Sequence, residues 1–485
     1  MREKKENNVS IKQNYLYNLI YQLIVVLSPV IVTPYISRVF GADTIGMYQY
    51  VYSIAGYFSI FVLLGTSIYG QREVASNKND SKILGDLFIH IQAVKGIMLL
   101  CSIVIYSIIL IKARGGKYFN LLFIEIFLMF ASFVDISWFF YGLEKFKTVS
   151  ARSSVIKILT IICIFIFVKD KTDLIKYAAI MSVGTLTGNL LLWIYIPRYC
   201  HITRIRKEYF NNIWKSAWFF LIPNVATQIY VHLDKLLLGM IAGDFETGYY
   251  SQGEKVVKLV LTLITSLSLV LLPRITYLVS NGQKDIAKEK IIYTWKVVLM
   301  FSLPMMVGLM TISNKFVPIF FGEGYEPVSQ IIKILSPITV LIGSNSVLGY
   351  AILIPFRQQK SYTISAVIGC ILNLLVNVCL IPGFGAIGAC IGTFIAEGSV
   401  CVIQYLYARK IMGPFIPLFS SLKYFLGSFI MGAFMRVIMS TNYFSGWKLI
   451  LAIFLGSIVY FGLLILAKDE IVGNCIKLLK RKINK

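Results

Sequence analysis

A chain of 485 residues that is 57% hydrophobic and only 14% charged, with a mean hydropathy of +0.74, carries more apolar surface than a soluble domain of this length can bury. Its net charge of +24 does not signal nucleic acid, because the basic residues fall mostly in short segments between apolar runs rather than on one solvated, aromatic-studded face. Eight Cys are scattered without a Cys-x-x-Cys, and His90, His201 and His232 lie out of helical reach of one another. Neither a disulfide framework, a metal centre nor a bound cofactor is expected.

Apolar runs of about 20 residues recur along the chain, and each is long enough to span a bilayer. The polar start, Met1-Arg-Glu-Lys-Lys-Glu-Asn-Asn8, leads into a long apolar run with no small-residue cleavage site, so a retained first helix is expected rather than a signal peptide. The predicted spans are 14–37, 45–70, 85–111, 118–142, 150–168, 174–197, 216–242, 247–273, 290–312, 328–354, 361–381, 386–408, 420–440 and 446–467. The fold class is therefore all-α, a polytopic membrane protein of about 14 transmembrane helices. With the N-terminus inside, the inner tails and loops hold about thirty Lys and Arg against about ten outside, which places both termini in the cytoplasm. Arg72, Lys78, Lys82, Arg198, Arg204, Arg206, Lys207 and the tail from Lys477 to Lys485 belong to the inner set; the loop with Lys112, Arg114 and Lys117 runs against it.

The chain also repeats itself. A shift of 202 residues places Gly41 on Gly243, Gly46 on Gly248, Tyr48 on Tyr250 and Arg72 on Arg274, a hairpin with a Gly-marked outer turn and an Arg at its inner end. A shift of 213 places Gly142-Leu-Glu-Lys-Phe-Lys147 on Pro355-Phe-Arg-Gln-Gln-Lys360, between the fourth and fifth helices of each half. The predicted organisation is an N-lobe over 1–200 (helices 1–6), a linker over 201–215, a C-lobe over 216–410 (helices 7–12), and helices 13–14 with a basic tail over 411–485. Parallel repeats of this kind place a substrate between the lobes. The linker is basic and amphipathic and is expected at the membrane surface.

The most informative stretch is Tyr230-Val-His-Leu-Asp-Lys-Leu-Leu-Leu-Gly239, followed after a short acidic turn by an apolar run with Glu254, Lys255 and Lys258. A Lys or Asp at a helix centre costs roughly 2.5–3.5 kcal/mol to insert, so five such charges must be paired or face a watery cavity. Glu254 and Lys258 form an i,i+4 pair, and Lys235, Glu254, Lys255 and Lys258 all lie about two turns from the connecting turn. Two acids against three lysines leave a positive surplus for an anionic substrate. The same positions in the first half are Val32, Thr33, Tyr52, Ser53 and Gly56, so closing the hairpin does not demand charge.

Three motifs resemble the polysaccharide repeat-unit flippases of the multidrug/oligosaccharidyl-lipid/polysaccharide exporter superfamily. They are Leu233-Asp-Lys-Leu-Leu-Leu-Gly239 with Gly248-Tyr-Tyr-Ser-Gln252, Trp138-Phe-Phe-Tyr-Gly-Leu-Glu-Lys-Phe146, and Ile354-Pro-Phe-Arg-Gln-Gln-Lys360. The resemblance covers essentially the whole chain. It implies a two-lobed, alternating-access transporter of undecaprenyl-pyrophosphate-linked oligosaccharide, with membrane lipids, a polysaccharide polymerase and chain-length machinery as partners. Lys235, Lys255 and Lys258, with Asp234 and Glu254, are the candidate substrate-binding set, with a purely structural ion-pair network as the alternative; Lys235, which stands in the resembling Asp-Lys motif, is first among them.

Arg72 and Arg274 are assigned to gating or headgroup contact. Of the other intramembrane charges, Lys95 and Asp135 are expected to pair, and Lys333 and Glu125 to snorkel from span ends. Lys157, Lys296 and Glu397 carry no assignment. Tyr48, Tyr249 and Tyr250 are expected to pack, with sugar stacking as the alternative. Pro29, Pro34 and Pro223 permit bends. The rival readings are a multidrug or cation exporter, for which Glu125 and Asp135 are the candidate acids, and a peptidoglycan-precursor flippase. A glycan polymerase or ligase would need a large outer loop, and ATP hydrolysis a Gly-x-x-x-x-Gly-Lys-Ser/Thr loop; neither is present.

Overall fold

A computed structural model describes residues 11–63, 65–201, 205–414, 418–440, 446–474 and 477, and the regular structure among them is helical throughout. Arg204, Cys475 and the tail beyond Lys477 lie outside the described residues, as does the side chain of Pro223. The chain divides into two compact units, Met1–Gly248 and Tyr249–Lys485. The first holds α1 (Ile11–Leu63), α2 (Thr66–Ser76), α3 (Ser81–Lys112), α4 (Phe119–Val134), α5 (Ser137–Gly142), α6 (Phe146–Phe167), α7 (Leu174–Trp193), α8 (Lys207–Ile241) and the first turn of α9 (Asp244–Ser280). The second holds the rest of α9, then α10 (Lys284–Phe321), α11 (Glu326–Leu335), α12 (Ile338–Ser346), a π-helical stretch Val347–Leu353, α13 (Gln359–Met412), α14 (Leu418–Met439) and α15 (Gly446–Leu466).

At 1.5 Å per residue, α1 and α13 would each run about 80 Å, far beyond a bilayer. Both are broken by a glycine with positive φ, Gly41 (φ 76) and Gly385 (φ 53), and so supply two crossings each. Eleven helices among the described residues are long and apolar enough to cross a membrane. Counting both limbs of α1 and α13, and adding the 35-residue α8, recovers the predicted set of spans. The helices carry their apolar side chains outward: in α3, Leu100, Val104, Ile108 and Ile111 are exposed while Asp86, His90 and Lys95 are buried. That is the arrangement a hydrocarbon solvent selects.

The internal repeat is written in the backbone. Glu144 (φ 59) and Arg357 (φ 60) are related by the 213-residue shift, and both take the left-handed conformation that non-glycine residues seldom adopt. Around them the hydrogen bonds match. Lys145 N–H donates to Phe140 C=O and Gln358 N–H to Leu353 C=O; Glu144 N–H donates to Tyr141 C=O and Arg357 N–H to Ile354 C=O. This is a helix-ending motif that satisfies the last carbonyls. The aromatic segment before Glu144 is core: Trp138, Phe139 and Phe140 are buried against Phe88 and Ile91. Glu144 itself pairs with Lys78 at 2.7 Å.

In the second unit, α10 packs against α14 and α15 through Met300, Leu303, Met431 and Tyr460, whose hydroxyl donates to Met300 C=O at 2.7 Å. Past α15, Asp469 accepts hydrogen bonds from the Ile471 and Val472 N–H groups, from Tyr424 Oη at 2.8 Å, and from Lys423. Burial pushes this carboxyl up, but the bonds from Lys423, Val472 and Tyr424 outweigh it and hold Asp469 below the ordinary carboxylate value.

Candidate functional site

Glycines set the position of α8. Within the first unit, a Cβ on Gly46 would lie 1.7 Å from Asp244 O, and a Cβ on Gly248 would lie 1.9 Å from Ala42 O. These contacts are reciprocal, because Ala42 and Asp244, like Gly46 and Gly248, are partners in the 202-residue repeat. Further along, a Cβ on Gly239 would strike the Tyr50 ring at 2.1 Å, and Gly56 faces the His232 ring. Only glycine lets backbones approach this closely, the usual device of membrane helix pairs. Asp244 is also tied to the α3–α4 loop, by Lys117 Nζ at 2.6 Å and Tyr118 Oη at 2.9 Å. The bonds to Asp244 and Tyr118 hold the Lys117 ammonium above the ordinary lysine value.

The five charges of the α8–α9 stretch fall in both units. On α8, Asp234 is buried and Lys235 half-buried. On α9, Lys258 Nζ lies 2.6 Å from Glu254 Oε1, the i,i+4 pair predicted from spacing, with Glu254 buried and Lys258 reaching outward. Lys255 Nζ donates to Gln252 Oε1 at 2.9 Å. Arg72 and Arg274 are both exposed on their helices; Arg72 lies 3.7 Å from Glu73, and the Arg274 guanidinium sits over the Tyr277 ring.

The remaining intramembrane charges depart from expectation in two places. Glu125 does not snorkel: it is buried, and Ser182 Oγ donates to its Oε2 at 2.8 Å, because α4 turns this face towards α7 rather than towards lipid. Lys95 meets Asp135 through the backbone, Nζ donating to Asp135 C=O at 2.7 Å, while the Asp135 carboxylate accepts from Ser137 N–H. Lys333 donates to Asn314 at 2.7 Å, and Lys296 lies 3.9 Å from Glu470. Glu397 accepts from Asn345 at 2.8 Å. Tyr48 and Tyr250 are buried: Tyr48 packs edge-on against Tyr177, and Tyr250 Oη bonds Thr393. They are packing residues. The linker runs into α8, and its Arg206 side chain bonds Asp86 while its N–H donates to His90 Nε2 at 2.7 Å. Sequence reading missed that attachment, as it missed Lys117 with Asp244, since partners over a hundred residues apart leave no local signal.

This is the architecture of a multi-pass membrane protein. The structure resembles a lipid II flippase MurJ in an inward closed conformation, with a TM-score of 0.77, 17% identity, and coverage of 94% of this chain and 99% of that one. It also resembles an inward-facing multidrug resistance MATE family transporter of the MOP superfamily, with a TM-score of 0.61, 13% identity, and coverage of 81% and 94%. A putative O-antigen transporter of Shigella dysenteriae is 23% identical over 76% of this chain and 93% of its own length. Residues 11–279 match the model of the family described as "Polysaccharide biosynthesis protein", and the chain belongs to that family.

Proposed function

We propose that this protein is a flippase that carries undecaprenyl-pyrophosphate-linked oligosaccharide repeat units across the bacterial cytoplasmic membrane by alternating access, for assembly of a surface polysaccharide. Family membership carries the reading, and the lysine-rich α8–α9 stretch supports it. Lys235, Lys255 and Lys258 attract the pyrophosphate as point charges, while Asp234 and Glu254 hold the lysines in place and lessen the cost of keeping them at membrane depth. The lipid tail stays in the bilayer while the head group crosses. Both termini lie in the cytoplasm, and Arg72 and Arg274 meet phosphate head groups at the inner surface. Membrane lipids are its surroundings, and the polymerase and chain-length machinery that consume the flipped unit are its partners.

A drug or cation exporter on the same fold would need uncommitted acids in the first unit. Asp135 there accepts from the Ser137 N–H, and Glu125 accepts from Ser182 through Oε2 while its Oε1 has no partner among the described residues, so what favours the flippase is the lysine excess of the α8–α9 stretch. A flippase for the peptidoglycan precursor is separated by substrate competition. The test is sidedness. Depleting the protein in its host is expected to build up lipid-linked glycan on the cytoplasmic leaflet, cleared by wild type and not by Lys235→Ala or Lys258→Ala at matched membrane levels. Loss of cationic-dye efflux without glycan build-up would move the protein to the exporter reading.

A further inference from the structure

Among the charges at membrane depth, Lys157 stands apart. It sits at the middle of α6, about 15 Å of helix from either end, farther than a lysine side chain can snorkel. The neighbours of α6 fix which way it points. Val155, Ile158, Ile162 and Ile166 form an exposed apolar stripe that meets lipid. Ile156 and Thr160 lie against Gly188 and Gly184 of α7, and the Phe165 ring lies 4.6 Å from that of Tyr35 on α1. Lys157 is on the remaining side, two turns from Ser150 in one direction and two turns from Ile164 in the other, both of them buried. Lys157 itself is half-buried, and its ammonium has neither a hydrogen bond nor an ion pair among the described residues. No acid among them stands close enough to act on its charge. Lys95, Lys255 and Lys258, by contrast, are held by Asp135 C=O, Gln252 and Glu254.

The repeat shows that the fold does not ask for this charge. The 213-residue shift that aligns Glu144 with Arg357 also aligns the first residue of α6, Phe146, with the first of α13, Gln359. It places Lys157 on Cys370, which is likewise half-buried, so the second half fills this position with a neutral side chain.

We propose that Lys157 is a substrate-contacting residue of the first unit and takes an oxyanion of the lipid-linked glycan, a phosphate of its anchor or a carboxylate of an acidic sugar; this rests on the flippase reading. A cation at membrane depth is costly, and an ammonium, with three donors and no acceptor, is offset by an anion. A resident carboxylate would do this permanently and would have to be displaced before anything else could bind. A lysine without one is available to an anion that arrives and leaves. Its flexible stem lets a compact point charge follow a group that moves through the membrane.

The test measures binding to the purified full-length protein in nanodiscs with three probes: undecaprenyl pyrophosphate, undecaprenol, and lipid-linked glycan from the protein's own host. Lys157→Gln removes the charge and keeps a polar side chain, whereas Lys157→Arg keeps the charge. Lys157→Gln is expected to weaken binding of undecaprenyl pyrophosphate about tenfold, the worth of one charge-assisted contact, and to leave undecaprenol unchanged. Lys157→Arg is expected to bind within about threefold of wild type. The melting temperature of Lys157→Gln is expected to match or exceed that of wild type, because no resident partner is lost; a lysine with only a structural role would lower it. A loss confined to the glycan-bearing lipid would support the proposal and place the oxyanion on the sugar. Undiminished binding of both phosphate-bearing lipids, equal loss of undecaprenol, or a clear drop in melting temperature would overturn the role of Lys157 and leave the flippase reading standing. Wild type that binds neither phosphate-bearing lipid would overturn both.

Discussion

At the Gly41 break and at the Gly243 turn the backbone follows one scheme. A positive-φ glycine comes first, then a glycine five residues on, then a tyrosine that is buried, Tyr48 in one and Tyr250 in the other. Beyond that point the side chains diverge, to Tyr52, Ser53 and Gly56 on α1 and to Glu254, Lys255 and Lys258 on α9. The residues kept in the repeat are those whose size the backbone contacts dictate. Those that differ stand outside the reciprocal Gly46–Asp244 and Gly248–Ala42 contacts, so the repeat separates what closes the hairpin turn from what can vary beyond it.

The largest effects belong to the shared scheme. Gly46→Leu and Gly248→Leu each drive a side chain into a carbonyl less than 2 Å from the new Cβ, and each is expected to cost about 3 kcal/mol, the upper range of overpacking. Thermal unfolding of the purified variants measures this, and a clear drop in only one of them would break the reciprocity. Exchanging the divergent residues is expected to be unequal. Gly56→Lys drives a long charged side chain against the His232 ring, for about 2 kcal/mol, whereas Lys258→Gly loses an i,i+4 pair and gains helix flexibility, for about 1 kcal/mol. Equal melting temperatures for these two would mean that the neutral and charged hairpins are interchangeable.

The smallest effect concerns Lys117, whose side chain is mostly exposed although its partner Asp244 is not. Lys117→Met is expected to cost about 0.5 kcal/mol and to cost less as salt rises. Because the folded-state pKa of Lys117 is raised, its contribution is fully present below the unfolded value of about 10.4 and is lost as pH rises through the folded one. The gap in melting temperature between wild type and Lys117→Met should therefore hold constant from pH 7 to 9. A gap that closes within that window would mean the ion pair is not what binds the α3–α4 loop to Asp244.

Much of this was legible in the chain. Apolar run lengths gave the helices, and glycine and tyrosine at fixed spacing gave the repeat, because both depend on local geometry. The Glu254–Lys258 pair was readable for the same reason, lying one helical turn apart. Glu125 was not, since its depth along α4 is readable but the face it turns towards Ser182 depends on where α7 packs. The contact of Gly56 with the His232 ring was hidden too. It joins faces of α1 and α8 that are far apart in the chain.

The most direct test of the central claim is transbilayer movement in liposomes containing only the purified protein and host lipid-linked glycan. A glycosidase added outside reports how fast inner-leaflet glycan becomes accessible. Wild type is expected to speed this far above protein-free liposomes, and Lys235→Ala with Lys258→Ala to slow it about a hundredfold, the worth of two weakened charge-assisted contacts. Equal rates in wild type and the double variant would show that these lysines do not handle the substrate, and no acceleration by wild type would contradict the flippase itself.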